Sequence, residues 1–345
     1  MENKEAKYDD HGHHDHHHLG MIFIMIVIMM VVNNGVGVDG RLRMDYYMMD
    51  CPLADFIVKN IVNKHLENDP TLAASLLRMH FHDCFIQGCD ASVLIDSSQK
   101  NKAEKDSPAN LSLRGYEVID EAKEELEKQC PGVVSCADIV AMAARDAVFF
   151  AGGPVYEIPK GRKDGKRSRI EDTRNLPSPT LNSSQLISML RQRGFTVQEM
   201  VALSGTKILR NNSAHSLGAA RCASFKQRLS SLDRTHAVDP TIDGRFAETL
   251  SRTCSAGDSA EQPFDSTRNT FDNDYFNALR GKRGVLFSDQ TLFADPATRS
   301  IVNSYAMNQA MFFFHFQQAM VKMGRLNVKE GPQGEVRQNC RVVNN

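Results

Sequence analysis

The 345-residue chain has no Trp, no large excess of either charge and no apolar run long enough to cross a bilayer. Its 41 Lys and Arg residues nearly balance its 42 Asp and Glu residues, and the net charge of −1 gives no sign of a nucleic-acid-binding protein. The eight Cys include no CxxC pair, which disfavours a zinc ribbon. The apolar fraction of 41% is enough for a large core, in one large domain or two small ones.

The main apolar run, MIFIMIVIMMVV at residues 21–32, is twelve residues long. That length is short for a membrane span and typical of the centre of a secretory signal peptide, so residues 21–38 are interpreted as a signal-peptide-like segment. An even number of Cys indicates a disulfide framework made in an oxidising compartment, which agrees with secretion. The alternative is a cytosolic enzyme whose Cys are all reduced.

Residues 1–20 differ from the usual start of a signal peptide, because they are acidic where a basic segment is expected. They include the tract HGHHDHHH, whose composition is that of a metal-binding tract. The favoured interpretation is a disordered His-rich extension, with the mature start between Asn33 and Asp45.

Apolar residues at spacings of three and four predict helices along most of the chain after residue 50. The segments are ADFIVKNIVNKHL, TLAASLLRMHFHDC, GYEVIDEAKEELEKQC, ADIVAMAARDAVFFAG, NSSQLISMLRQRG, TVQEMVALSG and AMNQAMFFFHFQQAMVKMG. Strand-like alternation is scarce. The pattern predicts an all-α fold with two helical halves around a central cleft, divided near residues 160–185.

One stretch, LLRMHFHDCFIQGCDAS at residues 76–92, concentrates polar chemistry at the end of an apolar helix. A helix over residues 71–84 places Arg78 and His82 on one face, four residues apart. A neutral imidazole can take up a proton and return it, and an Arg stabilises negative charge on a leaving group. The equally weighted alternative is a buried His with a surface Arg.

The residues after this helix offer hard oxygen donors, which suit calcium. These donors are the side chains of Asp83, Asp90 and Ser92 and the carbonyls of Ile86 and Gly88. Cys84 and Cys89 bracket the loop. The loop lacks EF-hand spacing, so its pattern alone is a weak indication of calcium.

RMHFHDCFIQGCDAS resembles the distal signature of the secreted plant haem peroxidases of class III, the horseradish type. The resemblance covers nearly all of residues 46–343. It recurs in order in AEKDSPANLSLRGYEVID, CPGVVSCADIVAMAARDAV, GGPVYEIPKGRKDG, NLPSP, MVALSG, AHSLGAARC, FDNDYFNAL, GVLFSDQTLF and GEVRQNCRVV. It implies a haem-peroxidase fold with haem b between a distal half, about 46–165, and a proximal half, about 185–330.

On the distal side, the resemblance implies a role for five residues. His82 is the acid/base that moves a proton between the two oxygens of hydrogen peroxide, and Arg78 stabilises the charge that develops as the O–O bond breaks. Phe81 lines the distal pocket. Asn110 orients His82 through a hydrogen bond, and the carbonyl of Pro177 helps to bind aromatic donors.

On the proximal side, the resemblance implies that His215 is the axial iron ligand and that Asp289 accepts its other N–H. Phe264 stands where intracellular relatives carry a Trp that holds a protein radical. Because the chain has no Trp, the oxidising equivalent is expected to stay on the haem and to pass to small donors.

The resemblance also implies two calcium ions and four disulfides. The distal calcium ligands are Asp83, Ile86, Gly88, Asp90 and Ser92, with Glu104 acting through water. The proximal calcium ligands are Ser216, Asp265, Thr267, Thr270 and Asp272. The disulfides are Cys51–Cys130, Cys84–Cys89, Cys136–Cys340 and Cys222–Cys254, which use every Cys.

The chain departs from the family pattern just before His215. Relatives read SGAHSLG, whereas this chain reads SGTKILRNNSAHSLG, with eight extra residues at Thr206–Ser213. A polar loop of this size can bulge out at small entropic cost and leave His215 in place, which is the favoured interpretation. Alternatively the insert displaces His215 and gives a protein that binds haem poorly or not at all.

The expected function is hydrogen-peroxide-dependent one-electron oxidation of small phenolic donors by a monomeric, secreted haem peroxidase. We expect it in the cell wall or extracellular space, with a glycan at the Asn182 sequon and no nucleic-acid or stable membrane partner. Two alternatives remain: a catalytically impaired or haem-free relative, and a metal-binding protein that uses HGHHDHHH and HFHDC.

Overall fold

The computed structural model describes residues 42–178, 180–205, 217–230 and 236–344, which belong to one compact unit. Several predictions lie outside these residues. They concern the His-rich extension at 1–20, the apolar segment at 21–38, the insert Thr206–Ser213 and the two proximal residues His215 and Ser216.

The first group of helices packs around one central helix. It comprises α1 (Ala54–Asn68), α2 (Leu72–Ile86), α3 (Tyr116–Gln129) and α4 (Cys136–Phe150). α1 and α2 both pack against α4. Every residue of α2 is buried, its charged residues included. Such burial holds the helix rigidly, since each polar side chain on it needs a partner inside the protein.

The second group contains eight helices of 4 to 15 residues and the only two strands of the described ranges. The helices are α5 (Ser183–Arg191), α6 (Val197–Gly205), α7 (Gln227–Ser230), α8 (Gly244–Cys254), α9 (Asp274–Arg280), α10 (Phe287–Ala294), α11 (Pro296–Met307) and α12 (Gln309–Met323). β1 (Ala219–Arg221) pairs antiparallel with β2 (Glu261–Pro263). α12 packs on α6, and α11 packs on α9 and α10. Within the described ranges, no helix is both long and apolar enough to cross a membrane.

Short 3₁₀ turns connect these elements. They lie at Ser92–Leu94, Glu104–Asp106, Ile170–Asn175, Cys222–Ser224 and Gly331–Gln333.

The all-α prediction is confirmed, and each segment predicted from periodicity contains a helix. One boundary is wrong: the stretch from Ala306 to Gly324 is not a single helix. α11 ends at Met307, and the side chain of Asn308 accepts the N–H of Met311 to begin α12. Periodicity also missed α7 to α10, and it included only the last two residues of α11. α8 buries only Leu250, and α7, α9 and α10 are short.

The four disulfides of the structure join the four predicted pairs. They are Cys51–Cys130, Cys84–Cys89, Cys136–Cys340 and Cys222–Cys254. The bridge between the start of α4 and Cys340 spans 204 residues and ties the carboxyl-terminal segment to the first helical group.

A fully buried ion pair joins α4 to Arg162, in the segment that follows this helix. Asp138 accepts from Arg162 Nη1 at 2.7 Å, from the Tyr47 hydroxyl at 2.7 Å and from the Gly161 N–H at 2.6 Å. Arg162 in turn donates from Nε to the Gly324 carbonyl at 2.9 Å. A buried charge is tolerated when its partners are this complete, and removing one side leaves the other uncompensated.

Asp138→Asn is therefore expected to lower the free energy of unfolding by about 3–5 kcal/mol, because the charge of Arg162 stays buried without its partner. Tyr47→Phe, which removes one hydroxyl from the same carboxylate, is the matched control and should cost about 1 kcal/mol. Denaturant unfolding with the disulfides intact measures both. Equal losses in the two variants would contradict a charge-based role for Asp138.

Candidate active site

His82 is held by a chain of hydrogen bonds that determines which ring nitrogen is basic. Its Nδ1 lies 2.6 Å from Asn110 Oδ1, and Asn110 Nδ2 donates to the Glu104 carbonyl at 2.8 Å. Because the amide NH₂ must face the carbonyl, the amide oxygen faces the imidazole. Nδ1 therefore carries the proton, and Nε2 is the basic nitrogen of the neutral ring.

Arg78 lies one turn before His82 on α2 and is fully buried. Nη1 donates to Ser112 Oγ at 3.0 Å and Nη2 to the Ala109 carbonyl at 2.8 Å, whereas Nε has no partner among the described residues. Burial is the main cause that lowers the pKa of Arg78 to about 9, and the charge of Arg221 contributes in the same direction. The guanidinium remains charged at neutral pH and has an unused donor for an anion.

His82 and Pro177 line the same cavity of about 420 Å³. The other described residues of its wall come from two segments, 107–109 and 170–178. Phe81 is buried, its ring is stacked on Phe85 at 4.2 Å between centroids, and it is not among the residues that line this cavity. The cavity can therefore hold a molecule in contact with the imidazole and with the predicted donor site.

The loop after α2 gathers carboxylates that lack enough protein partners. Asp83 Oδ2 accepts the Ala91 N–H at 3.0 Å, but Asp83 Oδ1 has no partner in the described ranges. Asp90 Oδ1 accepts the Ser92 N–H at 3.1 Å. Ser92 Oγ donates to Glu104 Oε2 at 3.2 Å, and Glu104 Oε1 is likewise without a described partner.

Two predicted carbonyl ligands of this loop already accept a hydrogen bond each. The Ile86 carbonyl accepts from Asn175 Nδ2 at 2.8 Å, and the Gly88 carbonyl accepts the Asp90 N–H at 2.8 Å. A carbonyl oxygen has two lone pairs, so each retains one for another ligand.

The buried carboxylates of this loop are costly to ionise. Burial raises the pKa values of Asp83 and Glu104 well above their usual range, and the charge of Asp90 raises both further. Burial also raises the pKa of Asp90. Three acidic groups packed together are costly unless they are protonated or neutralised by a cation. The donor chemistry therefore fits a hard, oxygen-seeking cation.

A second group of oxygens lies between β2 and α9. Thr267 Oγ1 lies 3.3 Å from Asp265 Oδ1 and 3.1 Å from Asp272 Oδ1. The hydroxyl therefore lies between the two carboxylates. Asp265 Oδ2 has no partner among the described residues, and burial raises the pKa of Asp265 to about 7. Thr270 is joined only through its N–H, which donates to the Thr267 carbonyl at 2.7 Å, and its side chain is exposed.

The described ranges contain no cage of three or more His, Cys, Asp and Glu side chains arranged to hold a metal. Cation binding at either oxygen group would therefore depend on backbone carbonyls and hydroxyls as well as carboxylates. Ser216, predicted for the second group, is outside the described residues.

Asp289 is buried at the start of α10. Its Oδ2 accepts the Leu286 N–H at 2.9 Å, and its Oδ1 accepts the Tyr275 hydroxyl at 3.2 Å. Two donors hold the carboxylate in one orientation. Phe264 is buried directly after β2. The predicted contact of Asp289 with His215 involves a residue outside the described ranges.

Sequence reasoning missed two residues of this region. Arg221, on β1, acts electrostatically on Arg78, although the two are far apart in sequence. Tyr275 orients Asp289 from α9. Their motifs, AHSLGAARC and FDNDYFNAL, were visible, but spacing along the chain gives no indication of contacts made across the fold.

Comparisons with known proteins identify the family of this chain. The family described as peroxidase matches residues 58–308. Peroxidase 47 of Arabidopsis thaliana is 66% identical over 322 residues, which cover 93% of this chain and 95% of that protein. Peroxidase 66 and Peroxidase 64 of the same plant are each 45% identical, over 94% of this chain and 98% of their own lengths. The chain therefore belongs to the peroxidase family, within the class III group of plant enzymes.

Proposed function

We propose that this chain reduces hydrogen peroxide at His82 and Arg78 and takes the two electrons, one at a time, from small phenolic donors. Peroxide-dependent oxidation is the activity of the family. The observation that carries the residue assignment is the hydrogen-bond chain from Glu104 through Asn110 to His82. It makes Nε2 of a buried imidazole the basic atom, as proton transfer requires.

Family membership implies a haem cofactor, and haem b fits the described residues. The orphaned Nε of Arg78, close to a second cation at Arg221, suits an anionic ligand. We assign His215 as the iron ligand and Asp289 as the acceptor of its second N–H, which makes an imidazole ligand more electron-rich. When bound, the haem supplies the two electrons that cleave the O–O bond and recovers them singly from donors.

His82 Nε2 takes the proton from one peroxide oxygen and delivers it to the other, which leaves as water. Nδ1 keeps its proton throughout, because this N–H donates a hydrogen bond to Asn110 Oδ1. Arg78 stabilises the negative charge on the departing oxygen. Its two described hydrogen bonds, to Ser112 and Ala109, prevent the guanidinium from turning away during the reaction.

Phenolic donors bind beside His82, in the cavity that Pro177 also lines. The Pro177 carbonyl accepts the phenol O–H, and the apolar part of the wall contacts the ring. The wall also carries polar and charged side chains, namely Ser107, Glu171, Thr173, Arg174 and Ser178, which can contact polar substituents of the donor.

The two oxygen groups bind calcium. Asp83 Oδ1 and Asp265 Oδ2, both without described partners, are the atoms that a cation would neutralise. Glu104 joins the first group to catalysis, because its carboxyl faces Ser92 and its carbonyl holds Asn110. Calcium at this loop would therefore maintain the orientation of His82.

The protein acts as a secreted monomer in the cell wall or extracellular space. Its four disulfides suit an oxidising compartment. Asn182 is exposed and caps α5 through Oδ1, which accepts the Gln185 N–H at 3.0 Å, so a glycan at Nδ2 is compatible with the cap. The comparisons support neither the haem-free alternative nor the metal-binding one.

Protein refolded with haem and calcium is expected to show a Soret band and to oxidise guaiacol with peroxide. His82→Ala should retain the Soret band and lose about 10²–10⁴-fold in kcat/KM for peroxide, because the proton shuttle is gone. Full haem occupancy without turnover in the unaltered protein would overturn the proposal. If only deletion of Thr206–Ser213 restores Soret absorbance, the haem-free alternative is correct.

Asn110→Ala is expected to lower kcat/KM for peroxide by about fivefold or more, the equivalent of one lost hydrogen bond of about 1 kcal/mol. The freed imidazole populates both tautomers, and only one has a basic Nε2. Asn101→Ala is the control, since Asn101 Nδ2 donates to the Ser168 carbonyl at 2.7 Å without contacting His82. Stopped-flow measurement of the peroxide reaction compares them, and equal rates in the two variants would contradict the orienting role.

Removing calcium with a chelator is expected to lower the thermal midpoint, because a ligand held at a hundredfold excess over its Kd contributes about 2.7 kcal/mol per site. Gly165→Ala should weaken calcium binding at the first site, since a Cβ there would lie 2.5 Å from Asp90 Oδ2. Gly244→Ala, where a Cβ meets nothing within 4 Å, is the control. Absence of bound calcium by elemental analysis, with no thermal shift, would refute both sites.

A further inference from the structure

Tyr305 and His315 form a hydrogen-bonded pair that the proposed mechanism does not use. The Tyr305 hydroxyl lies 2.9 Å from His315 Nδ1 and 3.2 Å from the Gln198 carbonyl. The Tyr305 ring is fully buried, whereas His315 is partly exposed. The phenol proton thus has one neighbour that can keep it, the imidazole, because a peptide carbonyl is not a base at neutral pH.

The pair exists because the chain breaks between α11 and α12. In one continuous helix, residues ten positions apart would stand about 15 Å apart along the axis. Asn308 instead ends α11 and caps α12, so α12 turns back and its His315 meets Tyr305. The contact is therefore a product of tertiary structure and not of helix periodicity.

A series of contacting aromatic rings connects this pair to Asp289. Tyr305 lies 5.1 Å from Phe276, and Phe276 lies 5.1 Å from Tyr275, measured between ring centroids. The Tyr275 hydroxyl donates to Asp289. The carboxylate that we assign to the proximal side of the haem is thereby joined to Tyr305 through contacting rings, a route along which an electron can move.

We propose that Tyr305 and His315 form a proton-coupled redox site that holds an oxidising equivalent away from the haem. The inference goes beyond the proposed function and uses it only as the source of the oxidant, the haem after reaction with peroxide. It also replaces the expectation that, without Trp, the oxidising equivalent stays on the haem.

The step conserves charge and atoms. One electron leaves Tyr305 for the oxidised haem, the phenol O–H bond breaks, and the proton moves to His315 Nδ1, which leaves a neutral tyrosyl radical beside an imidazolium. A phenolic donor at the surface later gives one electron to Tyr305, and His315 returns the proton. The donor loses its own proton to water and leaves as a phenoxyl radical.

Two other described tyrosines, Tyr156 and Tyr47, have different surroundings. The buried hydroxyl of Tyr156 has no partner among the described residues, although its ring contacts Phe316 on α12. The Tyr47 hydroxyl donates to Asp138, a carboxylate already paired with Arg162. Tyr156→Phe is therefore a matched control. It removes a buried phenol that contacts the same helix, but the hydroxyl of this phenol is not hydrogen-bonded to a base among the described residues.

The first experiment mixes haem-loaded protein with one equivalent of peroxide, without donor, and freezes it for electron paramagnetic resonance. Ring-deuterated Tyr should narrow the signal and identify it as tyrosyl. Tyr305→Phe and His315→Asn should lose most of that signal, whereas Tyr156→Phe should keep it. The Asn variant retains a hydrogen-bond acceptor but cannot hold the proton, so a merely structural role for His315 would leave the signal intact.

A second experiment requires no haem. A flash-generated ruthenium(III) tris-bipyridine oxidant in solution should produce a Tyr305 radical, more slowly in D₂O, and His315→Asn should abolish the isotope effect. Failure of this reaction, or a peroxide-active enzyme that gives no Tyr305 radical, would overturn the inference. A protein that fails to react with peroxide but passes the flash test would refute the proposed function while supporting the pair.

Discussion

The hydrogen bond between Asn110 Oδ1 and His82 Nδ1 is the contact on which the proposed chemistry depends. An imidazole can act as a base only through a nitrogen without a proton, and this contact assigns the proton to the other nitrogen. The assignment itself rests on the carbonyl of Glu104, which accepts the opposite end of the same amide. A peptide carbonyl thus determines the protonation pattern of a side chain 22 positions earlier in the sequence.

The same region concentrates groups that are costly to bury. Arg78, Asp83 and Glu104 are each fully buried, and each retains an atom without a partner in the described part of the chain. Desolvation of this kind is tolerated when a bound ion or cofactor supplies the missing contacts. The distribution of signs is consistent with two different ligands: the orphaned donor suits an anion near His82, and the orphaned acceptors suit a cation in the loop after α2.

Sequence periodicity predicted the parts of this structure that depend on local contacts. Arg78 and His82 could be placed on one helical face because four residues make about one turn. Family motifs, not spacing, indicated Asn110 and Asp289. Neither source indicated that Arg221 acts on Arg78 or that α11 ends at Met307, because the first contact crosses the fold and the second depends on one Asn whose side chain caps the following helix.

That helix break also changes what the absence of Trp implies. A chain without indole rings lacks one of the side chains that most readily give up an electron. A phenol gives up an electron readily when a nearby base can accept its proton. That base must not already be neutralised by another charged group. Among the described tyrosines, Tyr305 faces an imidazole, whereas Tyr47 faces a carboxylate already compensated by Arg162. The redox character of this protein would then be decided by the turn between α11 and α12.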